Sequence, residues 1–480
     1  MKPESRWELK HIFIIISIVF GVFLALINSS MVNVALNTIM KYFNINVDVV
    51  TWIVTAYALA YAVMLPVYGK LGDIYGHKRL YLVGITVFIL GSALCGFSRN
   101  FGLLVTARII QAFGAAGISP MSIAIISHNF PSNTKGKALG LWGAAIGAGA
   151  AVGPTLGGFL IELGGWHWIF FVNIPVGIIA LISAFYSLPA SDITTKKEKF
   201  DFPGVILLAA SIIMLLFTFT KGSKAGWLNT ITLFCLGTFL TSLLLFLKLE
   251  TSIKNPFINL DMFKDPMFTA PTVVGFIQMF TIVSVNIITP LYLQRVLHFS
   301  PAATGTIILT QPLFTMFMAP VAGKLTDLYS PRIPLFLGTS FLFLANFLLS
   351  FISTNTHIHY IIIFISILGM GMGFCSSPLA AAVTGSVSQM ETASATGVFN
   401  MIRFIGAVMG SNFIGILIDK RINHYVLQKH PFPETATYGD LYLLIALFNL
   451  LAIIGAHYTR PLRKKESLKS ETTFRKDFYR

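Results

Sequence analysis

Apolar residues in this chain come in runs of about twenty, separated by short polar turns. That is the length a helix needs to cross the hydrocarbon of a bilayer. The first six runs are Ile12–Leu36, Val49–Tyr68, Leu80–Phe97, Leu103–Ile126, Ala138–Ile161 and Trp168–Leu188. Two more, Phe202–Phe219 and Trp227–Leu247, follow a charged stretch. Six close the series: Phe268–Tyr292, Ala302–Val321, Ile333–Ile352, Tyr360–Val383, Ala395–Ile418 and Leu441–His457. The pattern predicts an all-α polytopic membrane protein with fourteen transmembrane helices. The predicted order is a six-helix bundle (1–190), a linker (191–201), an inserted helix pair (202–248), a second linker (249–267), a second six-helix bundle (268–459) and a basic tail (460–480).

Composition agrees. Hydrophobic types make up 55% of the 480 residues and charged types 11%, against roughly 25% charged in soluble domains. The net charge of +15 raises the question of nucleic acid. The basic residues sit at the ends of apolar runs, however, and not on aromatic-bearing amphipathic segments, so no nucleic-acid partner is expected. Lys70, Lys78, Arg79, Lys135, Lys137, Lys196, Lys197, Lys199, Lys324, Arg332 and the tail fall on one side of an alternating path. The opposite side holds far fewer. This asymmetry places both termini in the cytoplasm and requires an even number of spans, a parity that twelve would also satisfy. The first run has a basic flank like a signal peptide. It is too long for one and lacks a small-residue cleavage site, so it is expected to remain as a span. Cys95, Cys235 and Cys375 lie far apart inside apolar runs, with neither metal nor disulfide spacing.

Two polar loops interrupt the pattern in related ways. GKLGDIYGHKR, Gly69 to Arg79, joins runs two and three; GKLTDLYSPR, Gly323 to Arg332, joins runs ten and eleven. With the inserted pair set aside these loops are equivalent, which implies a parallel repeat of two six-helix units. Gly69 and Gly72 allow close helix approach, and Gly76 permits a turn other residues would strain to make. Asp73 can face the positive end of a neighbouring helix or a basic residue of its own loop. Such a contact forms in one conformation and breaks in another, making Gly69, Asp73, Gly76, Lys78, Arg79, Gly323, Asp327 and Arg332 candidates for a conformational latch. Lys78 and Arg79 also suit anionic lipid headgroups.

Charge inside a span is costly and marks function by default. Arg108 and Arg403 are the two such charges, and Gln111 shares a helix face with Arg108. Asn28, Gln278, Asn286, Gln311 and Asn400 could add polar contacts to an apolar cavity, with aromatic walls from residues such as Trp52, Tyr57, Phe276 and Phe280. Each of these also suits a structural role, as a tether or a satisfied core amide. Gly143, Gly147, Gly153, Pro154 and Gly157 give run five a smooth, interrupted surface for helix packing.

At these residues the chain resembles the major facilitator superfamily, and within it the fourteen-helix drug:proton antiporter family of multidrug efflux pumps. The resemblance covers nearly the whole chain. It rests on Gly69–Arg79, on RIIQAFGAAG from Arg108, on GAAIGAGAAVGPTLGG from Gly143 and on WHWIFFVNIPVG from Trp166. It implies the major facilitator fold, efflux of small amphiphilic compounds by alternating access, a proton gradient as driving force with no cofactor, and a monomer in the bacterial cytoplasmic membrane. It also implies that run five lies between the two halves.

The chain departs from that family where an aspartate is usual: Asn28 stands there instead. Acidic residues fall outside the apolar runs, with Asp73 and Asp327 in loops, Glu162 near an outer end and Glu391 in the loop before run thirteen. A cationic substrate in a dry cavity calls for a carboxylate. Two buried arginines instead favour an anionic, zwitterionic or neutral amphiphile, leaving Glu162, Asp73 or a histidine to carry protons. The alternative function is export of a lipid, fatty acid or other anionic or zwitterionic metabolite with different coupling. No phosphate-binding loop supports ATP drive. An enzyme would need convergent nucleophiles or ligands inside the spans, and His357 and His359 offer only a His-x-His pair. A receptor would be expected to carry a larger soluble part.

Overall fold

The computed structural model describes residues 9–189, 201–253 and 256–459. The expected cytoplasmic residues Lys2 and Arg6, most of the first linker and the basic tail lie outside the described residues. The described residues form helices and connecting turns, with no strand among them. Fourteen helices are long and apolar enough to cross a membrane. They are α1 (Leu9–Phe43), α2 (Trp52–Tyr75), α3 (His77–Gly96), α4 (Phe101–Asn129), α5 (Lys135–Gly164), α6 (Trp168–Ser187), α7 (Phe202–Gly222), α8 (Thr230–Ser252), α9 (Pro266–Val296), α10 (Ala303–Leu328), α11 (Arg332–Leu349), α12 (Ile358–Ser386), α13 (Gln389–Leu427) and α14 (Pro433–Tyr458). Several run beyond their apolar stretches, because a helix keeps its backbone hydrogen bonds after leaving the hydrocarbon.

Helix starts follow local chemistry. Asn100, Asp201, Asn229 and Asp265 accept a backbone N–H at the starts of α4, α7, α8 and α9. Gly76, with φ +91°, turns the chain between α2 and α3, a conformation that side chains disfavour.

The packing repeats at an interval of eight helices. In the first group α1 packs on α5 and α6, α3 on α4 and α6, and α2 on α4. In the last group α9 packs on α13 and α14, α11 on α12 and α14, and α10 on α12. The groups meet where α5 packs on α10 and α12, and where α2 packs on α13. The inserted pair sits outside: α7 touches both α2 and α13, while α8 packs on α7. Ser211 of α7 and Ser242 of α8 share a hydrogen bond of 3.0 Å. Large apolar side chains such as Phe234 and Leu244 of α8 stay exposed, as suits a lipid-facing helix.

Candidate functional site

Two polar clusters lie inside the bundle. In the first, the Arg108 guanidinium is buried and donates to Gln111 Oε1 (2.5 Å) and to the Ile53 carbonyl (3.3 Å). It also lies 3.9 Å above the Tyr57 ring, a cation–π contact strengthened by burial. Gln111 Nε2 donates onward to Ser92 Oγ (2.6 Å) and Asn28 Oδ1 (3.3 Å). Asn28 Oδ1 also accepts from Asn173 Nδ2 at 2.8 Å. Helices α1, α3, α4 and α6 are thus joined at one polar node.

In the second cluster Arg403 of α13 donates to Asn400 Oδ1 and to Gln278 Oε1 of α9, each at 3.4 Å. Its Nε is buried with no hydrogen-bond partner among the described residues. Its Cζ lies 5.2 Å from the Phe399 ring. Among the described residues no carboxylate pairs with either arginine. An aromatic line runs between the clusters: Tyr57 stacks on Tyr61 at 6.0 Å, and Tyr61 meets Phe404 of α13 at 5.6 Å.

Not every candidate joins these clusters. Gln311 is buried on α10, where its backbone approaches Gly369 of α12. Asn286 is exposed on α9, and Glu162 is exposed near the end of α5, so neither takes part in the buried networks. Ser92 and Asn173 were missing from the sequence candidates. Asn173 lay in view within WHWIFFVNIPVG, but only the fold brings it to Asn28.

The repeated loops form a reciprocal contact at one face. Asp73 accepts the amides of Ala393 (3.0 Å) and Ser394 (2.8 Å) in the first turn of α13. Asp327 accepts the amides of Gly136 (2.5 Å) and Lys137 (2.7 Å) in the first turn of α5. Each carboxylate therefore caps the positive end of a helix in the other group. Glycines make the approach possible: a Cβ on Gly69 would stand 2.5 Å from the Ala393 carbonyl oxygen, and one on Gly323 2.1 Å from that of Gly136. His128 of α4 adds a 2.8 Å contact to the Gln389 carbonyl. Lys78 donates to the Phe185 and Leu188 carbonyls at the end of α6, at 2.8 and 2.5 Å. Arg79 is exposed, and Arg332 meets His457 at 3.0 Å.

Helix α5 uses its glycines in two directions. Gly143 faces Ala319 of α10 and Ser376 of α12, and Gly147 faces Pro312 and Met316 of α10. Gly153 and Gly157 instead face Ile27, Ser30 and Met31 of α1, within the same group. Pro154 is exposed. The glycines of α5 that face the other group lie in the half nearer the Asp327 contact.

A family model described as Major Facilitator Superfamily matches residues 18–411. The riboflavin transporter RibZ of Clostridioides difficile (strain 630) is 32% identical over 414 residues, covering 85% of this chain and 88% of that protein. The multidrug resistance protein Stp of Mycobacterium tuberculosis (strain CDC 1551 / Oshkosh) is 30% identical over 399 residues, covering 83% of this chain and 74% of that protein. Among solved structures, the human organic anion transporter MFSD10 (TETRAN) superposes with a TM-score of 0.69 at 12% identity, covering 93% of this chain and 99% of that one. With these matches and fourteen spanning helices, the chain belongs to the major facilitator superfamily and is a transporter of small organic solutes, not an enzyme.

Proposed function

We propose that the protein exports hydrophobic or amphiphilic compounds by alternating access, as a proton antiporter of the fourteen-helix multidrug kind. The observation that carries this reading is the paired closure by Asp73 and Asp327. Charge-to-helix-end contacts that join two groups at one face suit a state that closes there and opens opposite. The density of Lys and Arg in the flanking loops supports a cytoplasmic position for that face, with both termini on the same side. The two groups of six helices then act as rocking bodies, and the chain works as a monomer in a bacterial membrane. The named relatives include a multidrug resistance protein, which supports drug-like cargo.

A second reading is favoured by the two arginine clusters. With no carboxylate beside Arg108 or Arg403, the interior suits an anionic or zwitterionic substrate better than a dication. Asn28, Gln111, Gln278 and Asn400 then supply orienting hydrogen bonds, and the Tyr57–Tyr61 stack an apolar wall. Glu162 is a weaker proton carrier on this reading, being exposed.

The test is substrate-driven proton movement in liposomes holding a pH-sensitive dye. Proton flux with neutral or anionic amphiphiles, but not with cations, supports antiport with the second substrate class. Flux with dications restores the first. Transport without any proton flux removes antiport.

A further inference from the structure

The inserted pair holds the one acid that counts as buried among the described residues: Glu250, 4% exposed, near the end of α8. Its Oε2 accepts the Ile258 amide at 3.1 Å, in the connector leading to α9. Its Oε1 is buried and has no hydrogen-bond partner among the described residues. Asp201, at the start of α7, accepts the Gly204 amide through Oδ1 at 3.0 Å. Its Oδ2 is likewise buried and has no partner among the described residues. A Cβ on Gly204 would stand 2.3 Å from Asp201 Oδ2 and 2.7 Å from Glu250 Oε1. The two orphan oxygens thus converge over one glycine.

Two carboxylates that converge over one glycine repel each other when both are ionised, and an unpaired buried acceptor is destabilising. A single proton removes both difficulties, with the O–H of one carboxyl donating to the other. We propose that Asp201 and Glu250 form a proton-binding site, and that the shared proton fastens the two ends of the inserted pair at the latch face. Neither residue belongs to the arginine clusters. The site stands whatever the cargo is, and whether or not protons drive transport.

The neighbouring charges are largely committed elsewhere. Glu250 lines a cavity of about 830 Å³ that Lys70 and Asp73 of α2, Asp261 and Lys264 of the connector, and Glu391 in the opening turn of α13 also line. Asp261 pairs with Lys264 at 2.7 Å, and Asp73 caps α13. Glu391 accepts from Asn259 and from Ser388, each at 3.0 Å. Lys70 favours the ionised pair, and the three acids favour the protonated one.

The site also connects to the latch. Ile258 is held by Glu250, and the next residue, Asn259, is held by Glu391, two positions before Ala393. Loss of the proton leaves two facing negative charges. Repulsion and entering water then loosen the connector from the turn that opens α13.

The experiment is an infrared pH titration of the purified full chain in lipid nanodiscs, with hydrogen exchange read over residues 256–264. The expected result is a protonated-carboxyl stretch that shifts in heavy water, persists at neutral pH and is lost at alkaline pH. It should vanish in both Glu250→Gln and Asp201→Asn, which keep the acceptors for Ile258 and Gly204. Connector protection, corrected for intrinsic exchange, should fall as the wild-type band disappears and stay flat with pH in Glu250→Gln. Absence of the band from the wild type at neutral pH overturns the proposal, as does its persistence in both variants. Protection that follows sodium rather than pH replaces the proton by a metal cation and also overturns it. If either variant fails to fold, the other variant carries the assignment, and absence of the wild-type band still overturns the proposal.

Discussion

At the scale of single residues, the interior is governed by how two arginines are satisfied without acids. Removing the Arg108 head leaves Gln111 Oε1 without its 2.5 Å donor, a loss of about 1–3 kcal/mol for a buried acceptor. Arg108→Gln should therefore lower the thermal midpoint in detergent, and Arg108→Lys should restore less than half of it, since an ammonium cannot both stack on Tyr57 and span to Ile53. Asn28→Asp should shift cargo preference toward cations by about tenfold, one step of 1.4 kcal/mol, measured by competition between charged amphiphiles. No change in preference would separate Asn28 from substrate selection. The polar residues at this node were legible because polar groups inside apolar runs stand out, and Arg108, Gln111 and Asn28 do meet. Ser92 was not legible, because a serine inside a span is ordinary. Glu250 was hidden differently: its apolar run ends at Leu247, yet the helix continues to Ser252 and carries the acid into a buried corner.

At the scale of helices, the proposed latch depends on close backbone approach and on charge. Asp73→Asn and Asp327→Asn each remove a charge from a helix end, an effect of about 0.3–2 kcal/mol. Each should raise the population open at the latch face, by up to about thirtyfold, and the double variant should add the two effects because the contacts are separate. Spin-label distances between the 76–78 turn and the start of α13 would report it; unchanged distances would leave Asp73 a capping residue only. Gly323→Ala should act in the same direction through the 2.1 Å approach to the Gly136 carbonyl. Gly204→Ala should disturb α7 and α8 together, because its methyl meets both Asp201 and Glu250; joint loss of exchange protection in both helices would show it. The repeated loops stood out in the sequence as candidates for a contact with other helices. Their receptors at the starts of α5 and α13 did not, because backbone amides carry no sequence mark and lie about 190 to 320 residues away.

At the scale of the molecule, fourteen apolar runs gave fourteen helices because bilayer thickness sets their length. Where the inserted pair would settle had no such rule behind it. Helix α7 lies against α2 and α13 together, with Trp52 of α2 and Phe217 of α7 at 6.1 Å, while α5 meets α10 on another seam. The two seams therefore differ in their exposure to the bilayer. A molecule dissolved in the acyl chains finds one doorway shuttered by two extra helices and the other bare, so sideways access from the lipid should be one-sided. A photoreactive group carried on a lipid tail should label α5 and α10 in preference to α2 and α13, and equal labelling would show that the shutter does not screen. A carrier built this way would sort its cargo by the side from which it arrives as well as by its charge.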